Sequence, residues 1–226
     1  MHIYPSILEK KIIDLSNKLD YLLPYFSHFQ IDITDGKFVP NKTVQIEEIA
    51  TTIELLNNEA IKQKSFEFHL MVNDYQSEIA KLDQLIKFVN ITSVLIHLKS
   101  LNTKYKILNT KYSIGLVLNP DDDVSANIET IMKFPTIQLM TVFPGRQGSP
   151  FVPEVLTKID ELRNLGFKGK IILDGSMNDQ TLAAVMKRKY LPDAICPGSY
   201  FNTDVADRLK RLQQISISRS AKDRSS

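Results

Sequence analysis

The chain has 226 residues, 43% apolar and 24% charged, with a formal net charge of +2 and one cysteine, Cys196. So small a charge does not argue for nucleic acid as a partner, and a lone cysteine excludes a disulfide framework. No apolar run reaches the roughly 20 residues that span a bilayer, and Met1–Leu8 lacks the pattern of a signal peptide; a single soluble, cytoplasmic domain is expected.

Taken in order, apolar runs of strand length alternate with amphipathic runs of helix length. Strands are expected at about 2–7, 29–34, 65–71, 93–98, 113–118, 136–142, 169–174 and 193–197. Helical patterns lie between them, for example Glu9 to Leu23, Val44 to Asn57, Tyr75 to Val89 and Val152 to Leu165. In the last of these Val152, Val155, Leu156, Ile159 and Leu162 share one stripe, and Gly166 stops it. Eight strand–helix units without a long linker are the count of a single-domain α/β (β/α)8 TIM barrel over 1–215. A doubly wound open sheet is the alternative, but it would leave edges. From Ser216 to Ser226 the chain is polar and without periodicity, and a frayed tail is expected.

In a barrel the active site forms where the carboxyl ends of the strands meet. That rule gathers Ser6, Asp32, His69, His97, Asn119, the Pro144–Gly148 loop, Asp174 and Gly198-Ser199 on one rim. Asp32 stands between Ile31 and Ile33 in an apolar strand, where an unpaired carboxylate is costly to bury. Lys170-Ile171-Ile172-Leu173-Asp174-Gly175-Ser176 repeats the pattern. Asp35 and Asp179 read as caps instead. Two carboxylates facing one pocket can take a proton from one face of a carbon and return one to the other. His69 beside them is a candidate metal ligand, since an Asp/His set suits a divalent cation. Glycine-bearing loops after the sixth, seventh and eighth strands (Gly148, Gly175-Ser176, Gly198-Ser199) are placed to cradle a phosphate. Met71 and Met140 are either core filler or a water-poor wall over a carbanion.

The stretches Pro5-Ser6-Ile7-Leu8, Asp32 to Asn41, His69-Leu70-Met71-Val72, Gly115 to Pro120, Met140 to Gly145 and Asp174-Gly175-Ser176 resemble the ribulose-phosphate 3-epimerase family. The resemblance implies a (β/α)8 barrel that interconverts ketose phosphates epimeric beside the carbonyl. It implies Asp32 and Asp174 as the two acid/bases and as metal ligands, with His69 a third. It also implies Ser6 at the substrate and Gly148, Gly175, Ser176, Gly198 and Ser199 at its phosphate. Met71 and Asn119 complete the expected substrate set.

The departures are specific. Gln30 stands where the family has a metal-binding His, and remains a candidate ligand. His28 lies on the same face but about 6–7 Å further down the strand. Thr34 replaces the usual Met, Phe143 the Asn or Asp before Pro-Gly, Lys99 an acid after the fourth-strand His, and Arg146-Gln147-Gly148-Ser149 the usual loop. Asp-Gly-Ser at 174–176 also resembles the branch acting on hexulose phosphates such as allulose 6-phosphate. The expected activity is metal-assisted 3-epimerisation of a pentulose or hexulose phosphate, with one Mn, Mg, Zn or Fe ion. The partner is a small sugar phosphate rather than nucleic acid or membrane, and the assembly a homo-oligomer. One alternative is a family member that has lost catalysis and binds a sugar phosphate as sensor or scaffold. A lyase of related phosphate-binding barrels is disfavoured, since Thr34 holds the position of its lysine.

Overall fold

A computed structural model describes residues 1–56, 59–101, 110–144 and 148–222. Its strands are β1 (His2–Ile3), β2 (Ser6–Ile7), β3 (His28–Thr34), β4 (Ser65–Met71), β5 (Asn90–His97), β6 (Ser113–Leu118), β7 (Thr136–Met140), β8 (Lys170–Asp174) and β9 (Ala194–Cys196). All pair in parallel, in the order β1-β9-β8-β7-β6-β5-β4-β3-β2.

The two ends of that order are halves of one strand. His2–Ile3 pairs with β9, and Ser6–Ile7 pairs with β3. Between them Tyr4 N–H donates to Ile195 O, while Gln30 N–H donates to the carbonyl of Pro5, which has no N–H of its own. Ser6 N–H again donates to Pro197 O, so the first strand bonds both neighbours at once and closes an eight-stranded TIM barrel.

Alternation along each strand separates two cores. Phe29, Ile31 and Ile33 of β3 and Phe66, Phe68 and Leu70 of β4 face the helices and join the large core. Gln30 and Asp32, at the alternate positions, reach groups from across the barrel. The interior holds two small apolar clusters: Leu95, Val117, Met140 and Val142, and Ile172, Ala194 and Cys196 against Tyr4. Gly115 is part of that packing, since a Cβ there would lie 2.5 Å from Leu95 Cδ2.

The helices are α1 (Ile12–Leu22), α2 (Ile46–Leu56), α3 (Glu59–Lys62), α4 (Tyr75–Lys81), α5 (Ile128–Ile131), α6 (Thr157–Asn164), α7 (Asp179–Val185) and α8 (Val205–Lys222). Several are shorter than the amphipathic pattern predicts, because an end is wound as a tighter turn. Leu82–Gln84 after α4 and Pro153–Leu156 before α6 are both 3-10. Where a frayed tail is expected from Ser216, the chain is instead helical to Lys222. The segment 205–222 contains neither Gly nor Pro, and Ser216 Oγ returns its hydrogen bond to Leu212 O at 2.9 Å. Residues 223–226 of that expected tail lie outside the described residues. No helix among the described residues is long and apolar enough to cross a membrane.

Candidate active site

The site begins with strand register. Asp32 of β3 pairs with His69 of β4, and Asp174 of β8 pairs with Cys196 of β9, so inward side chains of four strands meet at one level. The strand ends are pinned from behind. Thr141 donates from its backbone N–H and its hydroxyl to Asp174 O, at 2.7 and 3.0 Å. Thr43 donates its hydroxyl to Asp32 O at 3.1 Å. Asp35 holds the loop that follows, as its carboxylate accepts from the N–H groups of Lys37, Phe38 and Asn73. Gly36, at φ 74°, makes the turn a side chain would strain. Asp35 therefore braces a loop rather than capping a helix, the next of which begins only at Ile46. At α7 the cap is Asn178, which accepts from Gln180 and Thr181, and Asp179 is the first helical residue instead.

Asp32, His69 and Asp174 each bring one ligand atom within 4.8 Å of the others, and all three are buried. His69 Nδ1 lies 3.1 Å from Asp32 Oδ1 and 3.4 Å from Asp174 Oδ2. Burial works against a charged imidazole, but hydrogen bonds to Asp174 and Asp32, and their charges, outweigh it and raise the His69 pKa to about 9. Burial raises Asp32 to about 6, with Asp174 adding to the rise and His69 and Gln30 opposing it.

Behind His69 runs a second line of contacts. Its Nε2 lies 2.8 Å from His97 Nε2. Burial and the His69 charge hold His97 well below the ordinary imidazole pKa, so His97 is the neutral acceptor of the pair. This commits His69 Nε2–H to His97 and leaves Nδ1 as the atom that faces the carboxylates. Asn119, expected at the substrate, stands instead at the end of this line. It does not line the cavity; its side chain interacts with His97, although its Oδ1 and His97 Nδ1 are both buried without a well-formed hydrogen bond.

Three further side chains belong to the centre. Gln30 Nε2 donates to Asp32 Oδ1 at 2.9 Å and to Asp174 Oδ2 at 2.8 Å. Gln138 Nε2 donates to Asp174 Oδ2 at 3.0 Å. Cys196 Sγ lies 3.2 Å from Gln30 Oε1. Gln138 and Cys196 escape a motif reading, and their signal is parity: each shares the inward face of its strand with a site residue or a strand end. His28 is remote from all of this, pairing with Glu67 at 3.4 Å and packing on Tyr4 towards the other end of the barrel. Lys99 pairs with Asp121 on the surface at 2.6 Å.

Above the carboxylates opens a cavity of about 290 Å³. Ser6, Asp32, Met71, Gly148, Asp174, Gly175, Ser176, Gly198 and Ser199 all line it. Met140, Val142 and Cys196 complete an apolar side. Gly175 takes φ 115°, and a Cβ there would sit 2.6 Å from Val142 Cγ2. Among the described residues no Lys or Arg lines this cavity; Gly145, Arg146 and Gln147 of the expected loop lie outside those residues. Phe143 beside them is exposed.

Residues 2–202 match the family described as "Ribulose-phosphate 3 epimerase family". The chain belongs to this family. Ribulose-phosphate 3-epimerase family members are isomerases acting on carbohydrates, and this chain is accordingly an epimerase-family enzyme. It is 27% identical over 187 residues to ribulose-phosphate 3-epimerase of Schizosaccharomyces pombe, covering 80% of this chain and 79% of that one. With ribulose-phosphate 3-epimerase of Methanocaldococcus jannaschii it shares 26% over 203 residues, 86% of this chain and 82% of that one. Its backbone is also similar to 3-hexulose-6-phosphate synthase from Salmonella typhimurium, with a TM-score of 0.62 at 11% identity over 97% of this chain and 100% of that one. The likeness to the synthase is one of fold.

Proposed function

We propose that this epimerase-family barrel performs divalent-metal-assisted 3-epimerisation of a ketose phosphate, ribulose 5-phosphate/xylulose 5-phosphate or a hexulose 6-phosphate. The observation that carries it is the meeting of Asp32, His69 and Asp174 below one cavity. One aspartate removes the proton from the carbon next to the carbonyl, leaving an enediolate. The other delivers a proton to the opposite face, so the stereocentre inverts and no atom is lost. A pKa near neutrality, as burial gives Asp32, suits a group that must both accept and release a proton.

The donor set fits a divalent cation: two carboxylates and an imidazole whose Nδ1 is turned to them. Asp32, His69 and Asp174 would hold it, and the ion would supply positive charge to the enediolate oxygens. Met71, Met140 and Val142 keep water from the carbanion face. Ser6 contacts the sugar, and Gly148, Gly175, Ser176, Gly198 and Ser199 hold the phosphate through backbone N–H groups and hydroxyls.

The deciding experiment incubates the protein in deuterated water with a panel of ketose phosphates and with Mn, Mg, Zn or Fe supplied. Deuterium should enter at the carbon beside the carbonyl as the epimer forms. Tight sugar-phosphate binding with no exchange under any metal would establish the second reading, a sensor or scaffold. Gln30 favours that reading, since its amide already engages both carboxylates.

Two substitutions test the supporting roles. Gly198→Asp places a negative charge where the phosphate would lie and should weaken binding of phosphorylated sugars at least tenfold in calorimetry; unchanged affinity would move the phosphate site elsewhere. His97→Leu removes the acceptor for His69 Nε2–H. It should weaken cation affinity by about tenfold to a hundredfold, the usual effect of losing an outer partner of a ligating histidine. Equal zinc titrations for the two proteins would remove His97 from the site.

A further inference from the structure

Gln30 is fully buried in β3 and is held at both ends. Its Nε2 reaches Asp32 Oδ1 at 2.9 Å and Asp174 Oδ2 at 2.8 Å, one hydrogen for each carboxylate. Its Oε1 faces Cys196 Sγ at 3.2 Å. Chemistry alone fixes this orientation. Two carboxylate oxygens at hydrogen-bonding distance from one end of an amide demand N–H donors there, because an amide oxygen in that place would face two like charges. Cys196 is buried, and burial with the charges of Asp174, Glu67 and Asp32 raises its pKa well above the usual thiol range. It remains S–H, and that hydrogen points to the one acceptor Gln30 offers.

We propose that Gln30 is a clamp on the carboxylate pair rather than a metal ligand, with Cys196 as the positioning residue that fixes which end of the amide faces the aspartates. The inference rests on the reading that Asp32, His69 and Asp174 hold a cation. The amide is then a neutral competitor for the oxygens that a cation takes. For a cation to enter, the amide must withdraw or turn end for end. Turned, it would present Oε1 to the carboxylates and its NH2 to a sulfur, which accepts hydrogen bonds weakly. Cys196 therefore biases the amide towards the closed arrangement, and the site takes up its cation more weakly than its three ligands alone would.

The sign of one substitution separates clamp from ligand. Gln30→Leu fills similar space and cannot hydrogen-bond. If Gln30 ligates, the change weakens cation binding; if it clamps, the change strengthens it. Two charge-assisted hydrogen bonds are released, and an increase of about tenfold in Mn(II) affinity is expected. Cys196→Val keeps the volume and removes the donor, so it should raise Mn(II) affinity about threefold. Cys196→Ser restores a donor and should return it to the wild-type value. The readout is Mn(II) titration by electron paramagnetic resonance on the four full-length proteins, with circular dichroism to verify folding.

Weaker binding by Gln30→Leu overturns the clamp and makes Gln30 a ligand. Wild-type affinity in Cys196→Val removes the positioning role. If Gln30→Leu does not fold, the Cys196→Val and Cys196→Ser pair still decides, because only the clamp predicts a rise in one that the other reverses. No Mn(II) bound by any folded variant overturns the cation reading itself, and the clamp with it.

Discussion

Replacing Asp174 by Asn should abolish epimerisation, with a fall of at least a thousandfold in kcat. Loss of a positioned acid/base alone is worth roughly 10²–10⁴, and Asp174 is also one of three groups able to hold a cation. Asn keeps the shape and can still accept from Gln138 and Gln30, so the fold should survive. Asp32→Asn should be equally inactive in epimerisation. The two variants differ in a finer measurement. With one base on each face, the remaining aspartate can still lift a proton from the epimer that presents it, without completing the inversion. Residual deuterium exchange should therefore be confined to one epimer in Asp174→Asn and to the other in Asp32→Asn. Exchange of the same epimer by both variants, or epimerisation within tenfold of wild type in either, would rule out the two-base mechanism.

The parts of this site legible in the sequence are those where one residue contradicts its surroundings. Asp32 is such a residue: an acid inside an apolar strand, and burial is what lifts its pKa. Strand ends were also legible, because in a barrel they converge whatever the loops do, and so Ser6, Gly175 and Ser199 come to one cavity. What a strand end does not specify is depth. Asn119 follows β6 on the same rim, yet its backbone is tied down by Asp122 and Lys158 and its side chain stands behind His97. Gln138 and Cys196 were missed for the opposite reason. An amide or a thiol among apolar neighbours costs less to bury than a charge, so neither stands out until its partners across the barrel are known. The helix to Lys222 was obscured because its serines and charges read as solvated chain, while Val205 and Leu212 anchor it on the core. The barrel's closure rests on the first strand bonding two neighbours at once, through Tyr4 and Ser6 N–H on one side and Pro5 O on the other; alternation along a single strand carries no sign of that.

Cation affinity should rise steeply with pH, by about tenfold per unit between pH 6 and 9. A cation takes the lone pair of His69 Nδ1, and in the metal-free site hydrogen bonds and charge from Asp174 and Asp32 hold a proton on that ring up to a pKa of about 9. Below that value each ion bound must expel one proton, which is the origin of the tenfold slope. Below about pH 6 Asp32 is protonated as well, and the slope should approach a hundredfold per unit. Calorimetric titration with zinc in buffers of different ionisation enthalpy counts the protons directly: one released per ion at pH 7.5, approaching two at pH 5. Stability of the metal-free protein should run the other way. The folded pKa of His69 is raised above the unfolded value near 6.5, so its contribution is fully present below pH 6.5 and is lost as pH rises through 9. Thermal unfolding without metal should therefore shift to lower temperature from pH 7 to 9.5, and added zinc should offset the shift most strongly at the alkaline end, where no proton has to leave. His69→Gln has no proton to exchange at this site and should flatten both trends. A metal affinity independent of pH in the wild type would mean that the ion, if it binds, does so without His69.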